Sequence, residues 1–205
     1  MSNKEFLDSI EKILSNNDAQ ILAYDGRDFD VDALCGEVIA STCDLDFLQS
    51  SYEDDEYIVL MCLKDDEIVA IFFGEIYEDD NYLESSYTCS SGKIKKIGEL
   101  MRYYGFISVN SENPSIAIMS GSASGGIPAQ KPDDSPRTEK SKNDKLLDYH
   151  VKRGAAVNRD DKLFSYAIDT VKKNVEKLAS ELGSAKKKKK KSKKRSKKKK
   201  RSKKR

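Results

Sequence analysis

The chain has 205 residues, of which 38% are apolar and 35% are charged, and its formal net charge is +2. This length and composition allow one domain with a single hydrophobic core rather than two. No apolar run approaches the roughly 20 residues of a membrane-spanning helix, and no basic segment followed by an apolar one opens the chain. We therefore expect neither a transmembrane helix nor a signal peptide.

The cysteines and the histidine give no sign of a metal site. Cys35, Cys43, Cys62 and Cys89 contain no C-x-x-C pair, and His150 is the single histidine. The sequence thus predicts no zinc site and no metal cofactor. Without a secretion signal, we expect the four cysteines to be reduced thiols in an intracellular protein.

The first half of the chain predicts two helices, a strand and a hairpin. Residues 3–15 and 31–47 carry apolar side chains at helical spacing, and residues 20–24 form a short apolar run between them. Two apolar runs rich in β-branched residues, 57–63 and 68–76, are joined by a short polar turn. That pattern is typical of a β-hairpin.

The second half continues as mixed α/β. Residues 82–89 predict a strand with Leu83, Ser85, Tyr87 and Cys89 on one face, followed by a helix that reaches about residue 110. Residues 115–119 predict a strand, 120–138 a long irregular connection, 143–152 a helix and 161–182 an amphipathic helix. The predicted fold class is mixed α/β, with a largely antiparallel sheet flanked by helices.

The loop at residues 89–98 has the composition of a pyrophosphate site. A strand, a glycine- and lysine-containing loop and a helix N-terminus bring free backbone N–H groups and the helix dipole together. Lys93, Lys95 and Lys96 add positive charge. Lysines in a first helical turn oppose the dipole, which favours an anionic ligand. The alternative is an exposed basic helix start that binds nothing.

Two short motifs accompany this order of elements. Lys93-Ile-Lys-Lys-Ile-Gly98 follows the predicted strand, and Tyr149-His-Val-Lys-Arg-Gly154-Ala ends a later helix. Over roughly residues 55–155 the chain resembles the GNAT superfamily of N-acetyltransferases, which has an Arg/Gln-x-x-Gly-x-Gly/Ala loop and often a Tyr-x-Lys-x-Gly-Phe-like helix end. The first motif matches the family loop at its last glycine, whereas Lys96 stands where the family has its middle glycine. The second motif matches the family's helix end with one extra residue. The family usually continues with a strand, whereas here the sequence predicts a helix.

The resemblance implies acetyl-CoA as the cofactor, and it implies roles for individual residues. The cofactor's pyrophosphate would lie on the backbone of Lys93, Ile94, Lys95, Lys96, Ile97 and Gly98. Its acetyl-pantetheine arm would run along Thr88 and Cys89. Tyr149 would act as general acid, and Glu84 would take a proton from the acceptor amine. The alternatives are a packed core role for Tyr149 and a solvated surface role for Glu84.

The last twenty residues, Lys186–Arg205, contain 17 Lys or Arg, three Ser and no apolar residue. Such a run buries nothing, so residues 1–183 are predicted to be the folded domain and residues 184–205 a disordered tail. Without the arm Lys186–Arg205, 20 basic residues face 35 acidic ones, a net charge near −15. The chain is thus an acidic body with a basic arm.

The arm is predicted to bind nucleic acid independently of base sequence, because lysines release phosphate counterions and no aromatic residue is present for stacking. The residues assigned to this contact are Lys186, Lys190, Lys194, Arg195, Lys198, Arg201 and Arg205. A nuclear import signal read by import receptors is an alternative. A membrane surface is another, although no apolar anchor accompanies the arm.

Two functions remain open from the sequence. One is an acetyl-CoA-dependent N-acetyltransferase-like protein held on nucleic acid by its tail. The other is a non-catalytic nucleic-acid-associated protein, of a packaging or chromatin-like kind, that keeps the fold as a scaffold. Either would lie in the nucleus or in a virion or host-cell nucleoprotein, and a highly charged chain with a poly-lysine tail suggests a virus or a protist.

Overall fold

The computed structural model describes residues 1–23, 57–123 and 139–182, and these form four helices and a seven-stranded sheet. In chain order the elements are α1 (Asn3–Ser15), β1 (Ala19–Ala23), β2 (Tyr57–Lys64), β3 (Glu67–Tyr77), β4 (Tyr82–Ser90), α2 (Ile97–Glu112), β5 (Ile118–Ser122), α3 (Glu139–Val151), β6 (Ala156–Asn158), β7 (Leu163–Ala167) and α4 (residues 168–182). The helix predicted over 31–47, most of the connection at 120–138 and the basic tail lie outside the described residues.

The strand order is β1-β2-β3-β4-β5-β7-β6, and every neighbouring pair is antiparallel except β4 and β5. Parallel strands need a crossover, which α2 supplies here. The predicted fold class, mixed α/β with a largely antiparallel sheet flanked by helices, is confirmed. The helix predicted over 3–15 and the hairpin predicted from residue 57 to residue 76 are confirmed with it.

The main core lies between the sheet and the helices α1 and α2. Glycine allows α2 to approach the sheet, because a Cβ on Gly105 would stand 2.4 Å from Cε1 of Phe72. A capping box between Ser2 and Glu5 begins α1, whose apolar side packs into the same core. Fully buried members of this core include Ile10, Leu60, Phe72, Leu83 and Phe106.

A β-bulge redirects the side chains of β4. Glu84 is opposite Glu75 and Tyr87 is opposite Phe73, so two residues of β4 face the single residue Gly74. The predicted alternation from Leu83 to Cys89 is therefore wrong. Leu83 lies in the core beneath α2, and beyond the bulge it is Thr88, rather than a residue at an odd-numbered position, that contacts α2.

The parallel strands β4 and β5 part soon after they meet. Their register covers only Tyr82–Glu84 against Ile118–Ser120, although β4 continues to Ser90. Beyond Glu84, β4 is paired with β3 alone. A gap between the two halves of the sheet therefore opens at the level of the bulge.

The region after Gly154 differs from the prediction. Residues 163–167 form strand β7 rather than the start of the helix predicted over 161–182, which begins at residue 168. Phe164 and Ile168 are four residues apart, which fits a helix, but Phe164 and Tyr166 are buried at the spacing of a strand. Pairing with β5 and β6 on either side decides between the two periods. Strands thus follow Gly154, so the expectation that a helix comes directly after this region is wrong.

Two further expectations concern single side chains and membrane insertion. Cys62 is a buried free thiol, whereas Cys89 is disulfide-bonded, so the expectation of four reduced thiols is wrong for Cys89. Within the part of the chain that the structure describes, no helix is long and apolar enough to cross a bilayer.

Candidate functional site

Apolar side chains anchor the loop between β4 and α2 in the core. Ile94 and Ile97 are buried in the core at 5% and 1% exposure. The backbone N–H of Ser91 donates to the carbonyl of Val69 at 2.9 Å, which ties the start of the loop to β3. The loop is therefore held in place without using the groups at the start of α2.

The first turn of α2 has unused hydrogen-bond donors. No side chain caps this helix, and within residues 57–123 and the other described segments the backbone N–H groups of Lys95, Lys96 and Gly98 donate no hydrogen bond. The first N–H groups of a helix have no partner within the helix, and together with the dipole they attract anions. The start of α2 is therefore a ready anion site.

Lys96 adopts the conformation expected of a glycine. Its backbone is left-handed, with φ 64° and ψ 21°, at the position where the family loop has its middle glycine. This conformation costs an L-residue on the order of 1–2 kcal/mol. The shape of the loop is therefore kept although the glycine is missing.

Carboxylates partner two of the three loop lysines. The ammonium of Lys93 contacts Glu67 at 2.5 Å, and that of Lys96 lies 3.5 Å from Glu181 and 3.8 Å from Glu99. Lys95 is exposed and forms no ion pair within the described part of the chain. Lys95 is thus the lysine that is free to contact a bound phosphate.

Thr88 is placed beside the start of α2. Its Cγ2 atom lies 3.3 Å from the position a Cβ on Gly98 would occupy, so Gly98 allows the helix to approach β4. The Oγ1 atom of Thr88 is buried without a hydrogen-bond partner among the residues that the structure describes, which costs about 1–3 kcal/mol. The adjacent Cys89 lies opposite Ile71, follows Thr88 on the alternating strand, and is disulfide-bonded. The structure thus brings Thr88, but not the thiol of Cys89, to α2.

Tyr149 is joined to the first turn of α2 through Glu99. Its hydroxyl donates to the Glu99 carboxylate at 3.1 Å, and its ring centroid lies 3.5 Å from the guanidinium carbon of Arg153. Arg153 donates to both oxygens of Glu99, at 2.5 and 3.0 Å, and the hydroxyl of Tyr103 is 3.3 Å from one of them. The general-acid role of Tyr149 stays a prediction and requires its hydroxyl to leave Glu99.

Burial and charge compete in setting the pKa values of this cluster. Burial acts to raise the pKa of Glu99, but the hydrogen bonds and charge of Arg153 outweigh it and hold that pKa below its usual value. Burial, followed by the negative charge of Glu99, raises the pKa of Tyr149 to about 12. Glu99 is therefore ionised and Tyr149 protonated at neutral pH.

Glu84 is the last residue of β4 before the gap. It lies opposite Glu75 on β3 and beside Ser120 on β5. Like charges directly opposite on neighbouring strands are destabilising. Because Leu83 faces α2, the side chain of Glu84 projects from the other face of the sheet. The proton-accepting role of Glu84 stays a prediction.

Aromatic side chains occupy the point where the strands part. The ring of Phe164 lies 2.6 Å from the position of a Cβ on Gly121, and the carbonyl oxygen of Ser85 lies 3.1 Å from the same position. His150 stacks on Phe164 with ring centroids 3.6 Å apart, and its Nδ1 lies 2.8 Å from the Tyr166 hydroxyl. Burial, followed by the charges of Arg102 and Arg153, lowers the pKa of His150 to about 3, so its ring is neutral.

A separate cavity of about 690 Å³ lies between α1, β1 and the turn of the β2–β3 hairpin. Four carboxylates line it, those of Glu11, Asp18, Asp65 and Asp66. It shares no residue with the loop or with the gap. Among the described residues there is also no group of three His, Cys, Asp or Glu side chains that could hold a metal ion.

Sequence reasoning did not find Arg102, Glu99, His150 or Arg153 as members of this region. Glu99 is an acidic residue in a first helical turn, which is common in any helix. Its partner Arg153 is 54 positions away, and no local pattern predicts that distance. The motif Tyr149–Gly154 contains His150 and Arg153. Their contacts with Tyr166 and Glu99, which show how they take part in this region, appear only in the structure.

Comparison with known proteins yields matches only among solved structures. No protein-family model and no curated protein matches the chain. The KacTA–DNA complex matches at 14% identity and TM-score 0.47, covering 79% of this chain and 99% of that one. A GNAT family acetyltransferase from Elizabethkingia anophelis with acetyl-CoA bound matches at 8% identity and TM-score 0.45, covering 74% and 99%. Campylobacter jejuni N-acetyltransferase PseH in complex with acetyl coenzyme A matches at 12% identity and TM-score 0.46, covering 72% and 98%.

The matched structures include several acetyltransferases, to which this chain is similar at 8–13% identity. At these identities and TM-scores the matches carry no argument about the chemistry of this chain. That argument depends on the residues of the chain itself.

Proposed function

We propose that this chain is an acetyl-CoA-dependent N-acetyltransferase whose cofactor binds between the start of α2 and β4. The observation that carries the proposal is the set of unused backbone donors of Lys95, Lys96 and Gly98 at an uncapped helix start. A pyrophosphate would accept from these donors. The unpartnered hydroxyl of Thr88 lies next to them and would bond a polar group of the pantetheine arm.

Acetyl-CoA, when bound, supplies an acetyl group activated as a thioester. In this proposal Glu84 accepts a proton from the acceptor amine at the point where β4 leaves β5. Tyr149 holds a proton for the sulfur, with Glu99 and Arg153 fixing its ring. The helix start orients the phosphates, so that the protein contributes mainly positioning and proton transfer.

Calorimetric titration of the full-length chain with coenzyme A and with acetyl-CoA tests the proposal. Gly98→Asp should abolish binding, because a side chain and a negative charge would occupy the pyrophosphate position. Gly98→Ala is the matched control: its added Cβ meets only Thr88 Cγ2, at 3.3 Å. Both variants carry the basic arm, so their difference reports on the loop. No heat from the wild type beyond that of Gly98→Asp would contradict the proposal.

A non-catalytic scaffold is the second candidate function. The observation that favours it is the engagement of Tyr149 by Glu99 and of Lys93 and Lys96 by carboxylates. A scaffold of this kind would bind coenzyme A weakly or not at all and would transfer no acetyl group. Radiolabelled acetyl transfer to a panel of amines distinguishes it from the enzyme.

We propose further that the arm Lys186–Arg205 holds the body on nucleic acid inside the cell or virion. The support is compositional: 17 of its 20 residues are Lys or Arg. Neutralised phosphates release counterions, so this contact would be independent of base sequence and sensitive to salt. Import receptors are the competing partner.

A further inference from the structure

Arg102 is a partly buried cation that has neither a hydrogen-bond partner nor an ion-pair partner among the described residues. It lies on the second turn of α2, and its Nε atom is buried and donates no hydrogen bond. Among the described residues its guanidinium forms no ion pair either, whereas Arg153 and Arg159 each bond a carboxylate. A buried polar atom without a hydrogen-bond partner is unfavourable. Such an arginine is expected where a ligand supplies the anion.

The position of Arg102 relates it to the gap in the sheet. Its guanidinium carbon is 5.7 Å from the ring centroid of Phe164. That ring fills the space over Gly121, next to the carbonyl of Ser85, where β4 and β5 part. Arg102 also follows Gly98 by one helical turn, which is about 6 Å along α2. It therefore lies between the phosphate-binding helix start and the parting strands.

The groups around Arg102 leave its charge uncompensated. The neutral ring of Phe164 lies beside it, and Phe164 in turn contacts the rings of His150 and Tyr166. The nearest buried carboxylate identified on α2, that of Glu99, already accepts from Arg153, Tyr149 and Tyr103. The protein thus provides a guanidinium beside the parting strands β4 and β5 but, among the described residues, no anion for it.

We propose that Arg102 binds a carboxylate carried by a substrate, at the place where β4 parts from β5. This inference depends on the proposed function, since it concerns the same site. The carboxylate has two sources: the acyl chain of a dicarboxylic coenzyme A thioester, or the acceptor amine. A guanidinium is suited to either, because its planar fork matches a carboxylate in a bidentate pair. The phosphates of the cofactor are assigned to the helix start one turn away.

The first test compares thioesters on the full-length chain by calorimetry, with acetyl-CoA and succinyl-CoA as probes. Wild type should bind succinyl-CoA at least tenfold more tightly than acetyl-CoA, and Arg102→Gln should remove this difference while leaving acetyl-CoA affinity unchanged.

The second arm measures acetyl transfer to lysine and to cadaverine, which differ by a carboxylate. If the acceptor is the source, Arg102→Gln should raise the KM for lysine at least tenfold and leave that for cadaverine unchanged. Arg159→Gln is the control arginine, since it lies on the surface.

The outcomes separate the inference from the function. A wild type that binds no coenzyme A thioester overturns both. Equal weakening of all thioesters by Arg102→Gln would assign Arg102 to the phosphate site and overturn the inference alone, as would the absence of any carboxylate preference in both arms. A measurement without ligand adds to this: Arg102→Met should unfold at an equal or higher temperature than wild type, because it removes an unpartnered charge. A large fall in unfolding temperature would mean a structural role and overturn the inference.

Discussion

Arg153 and Glu99 join the chain just after α3 to the first turn of α2 through two nitrogen–oxygen contacts, of 2.5 and 3.0 Å. Asn174 of α4 donates to the carbonyl of Arg153 at 2.9 Å and to the hydroxyl of Tyr103 at 3.1 Å. One ion pair thus organises three helices around the start of α2. The geometry of the proposed cofactor site depends on it.

Removing one partner of this pair should be costly. Glu99→Gln should lower the free energy of unfolding by about 3–5 kcal/mol, because it leaves the Arg153 charge without its partner. The double variant Glu99→Gln, Arg153→Met should lose less than the sum of the single variants. Urea denaturation measures this. Asp148→Asn, which breaks an exposed pair with Arg159, is the control and should change little. Additive effects of the two buried changes would contradict the coupling.

The left-handed backbone of Lys96 gives a second prediction. Lys96→Gly and Lys96→Ala both remove the side chain, but only glycine removes the strain of φ 64°. Lys96→Gly should therefore be more stable than Lys96→Ala by about 1 kcal/mol. It should also bind coenzyme A at least as well as Lys96→Ala, since the backbone makes the contacts. Weaker binding by the glycine variant would mean that the loop shape is unimportant.

His150 should make stability depend on pH between 6.5 and 4.5. Its pKa is lowered to about 3 in the folded chain, first by burial, so the unfolded chain binds the proton more readily. Stability should be complete above pH 6.5 and fall by roughly 1 kcal/mol per pH unit as the pH drops below it. Glu99 contributes only at lower pH, because its folded pKa is lowered and its stabilising effect is lost only below about pH 4.

Denaturation of His150→Asn across this pH range checks that prediction. Asparagine keeps a polar partner for the Tyr166 hydroxyl, which lies 2.8 Å from Nδ1, but does not titrate. Its stability should be flat between pH 6.5 and 4.5. An unchanged slope in the variant would assign the pH dependence to another group.

Tyr149→Phe separates a catalytic hydroxyl from a structural one. If Tyr149 is the general acid, acetyl transfer should slow by about 10²-fold or more with coenzyme A affinity unchanged, and the alkaline limb of the pH profile should shift. If it only bonds Glu99, stability should fall by about 1 kcal/mol with the rate retained. Tyr104→Phe, which removes a hydroxyl 2.8 Å from Glu11 on the exposed side of α2, is the matched control.

Deletion of Lys186–Arg205 should leave the body folded, because this run contains no apolar residue to pack. Circular dichroism should show unchanged helix and strand content. Retention on DNA or RNA at moderate salt should be lost, and binding of the full chain should weaken steeply with salt without regard to base sequence. A tight preference of the full chain for one oligonucleotide would contradict backbone-only binding.

The sequence by itself determined the local elements and the loop that joins β4 to α2. Helical spacing in 3–15, the two apolar runs of the hairpin, and the strand–loop–helix order around Lys93–Gly98 depend on neighbours within a few positions, so they could be predicted. The same locality explains the error at 163–167, where a helical spacing was compatible with a strand until β5 and β6 paired with it. The tertiary structure alone decided the bulge at Ser85 and Ser86, the parting of β4 from β5, and the Glu99–Arg153 pair. These depend on contacts between residues up to 54 positions apart, and no local pattern records such contacts.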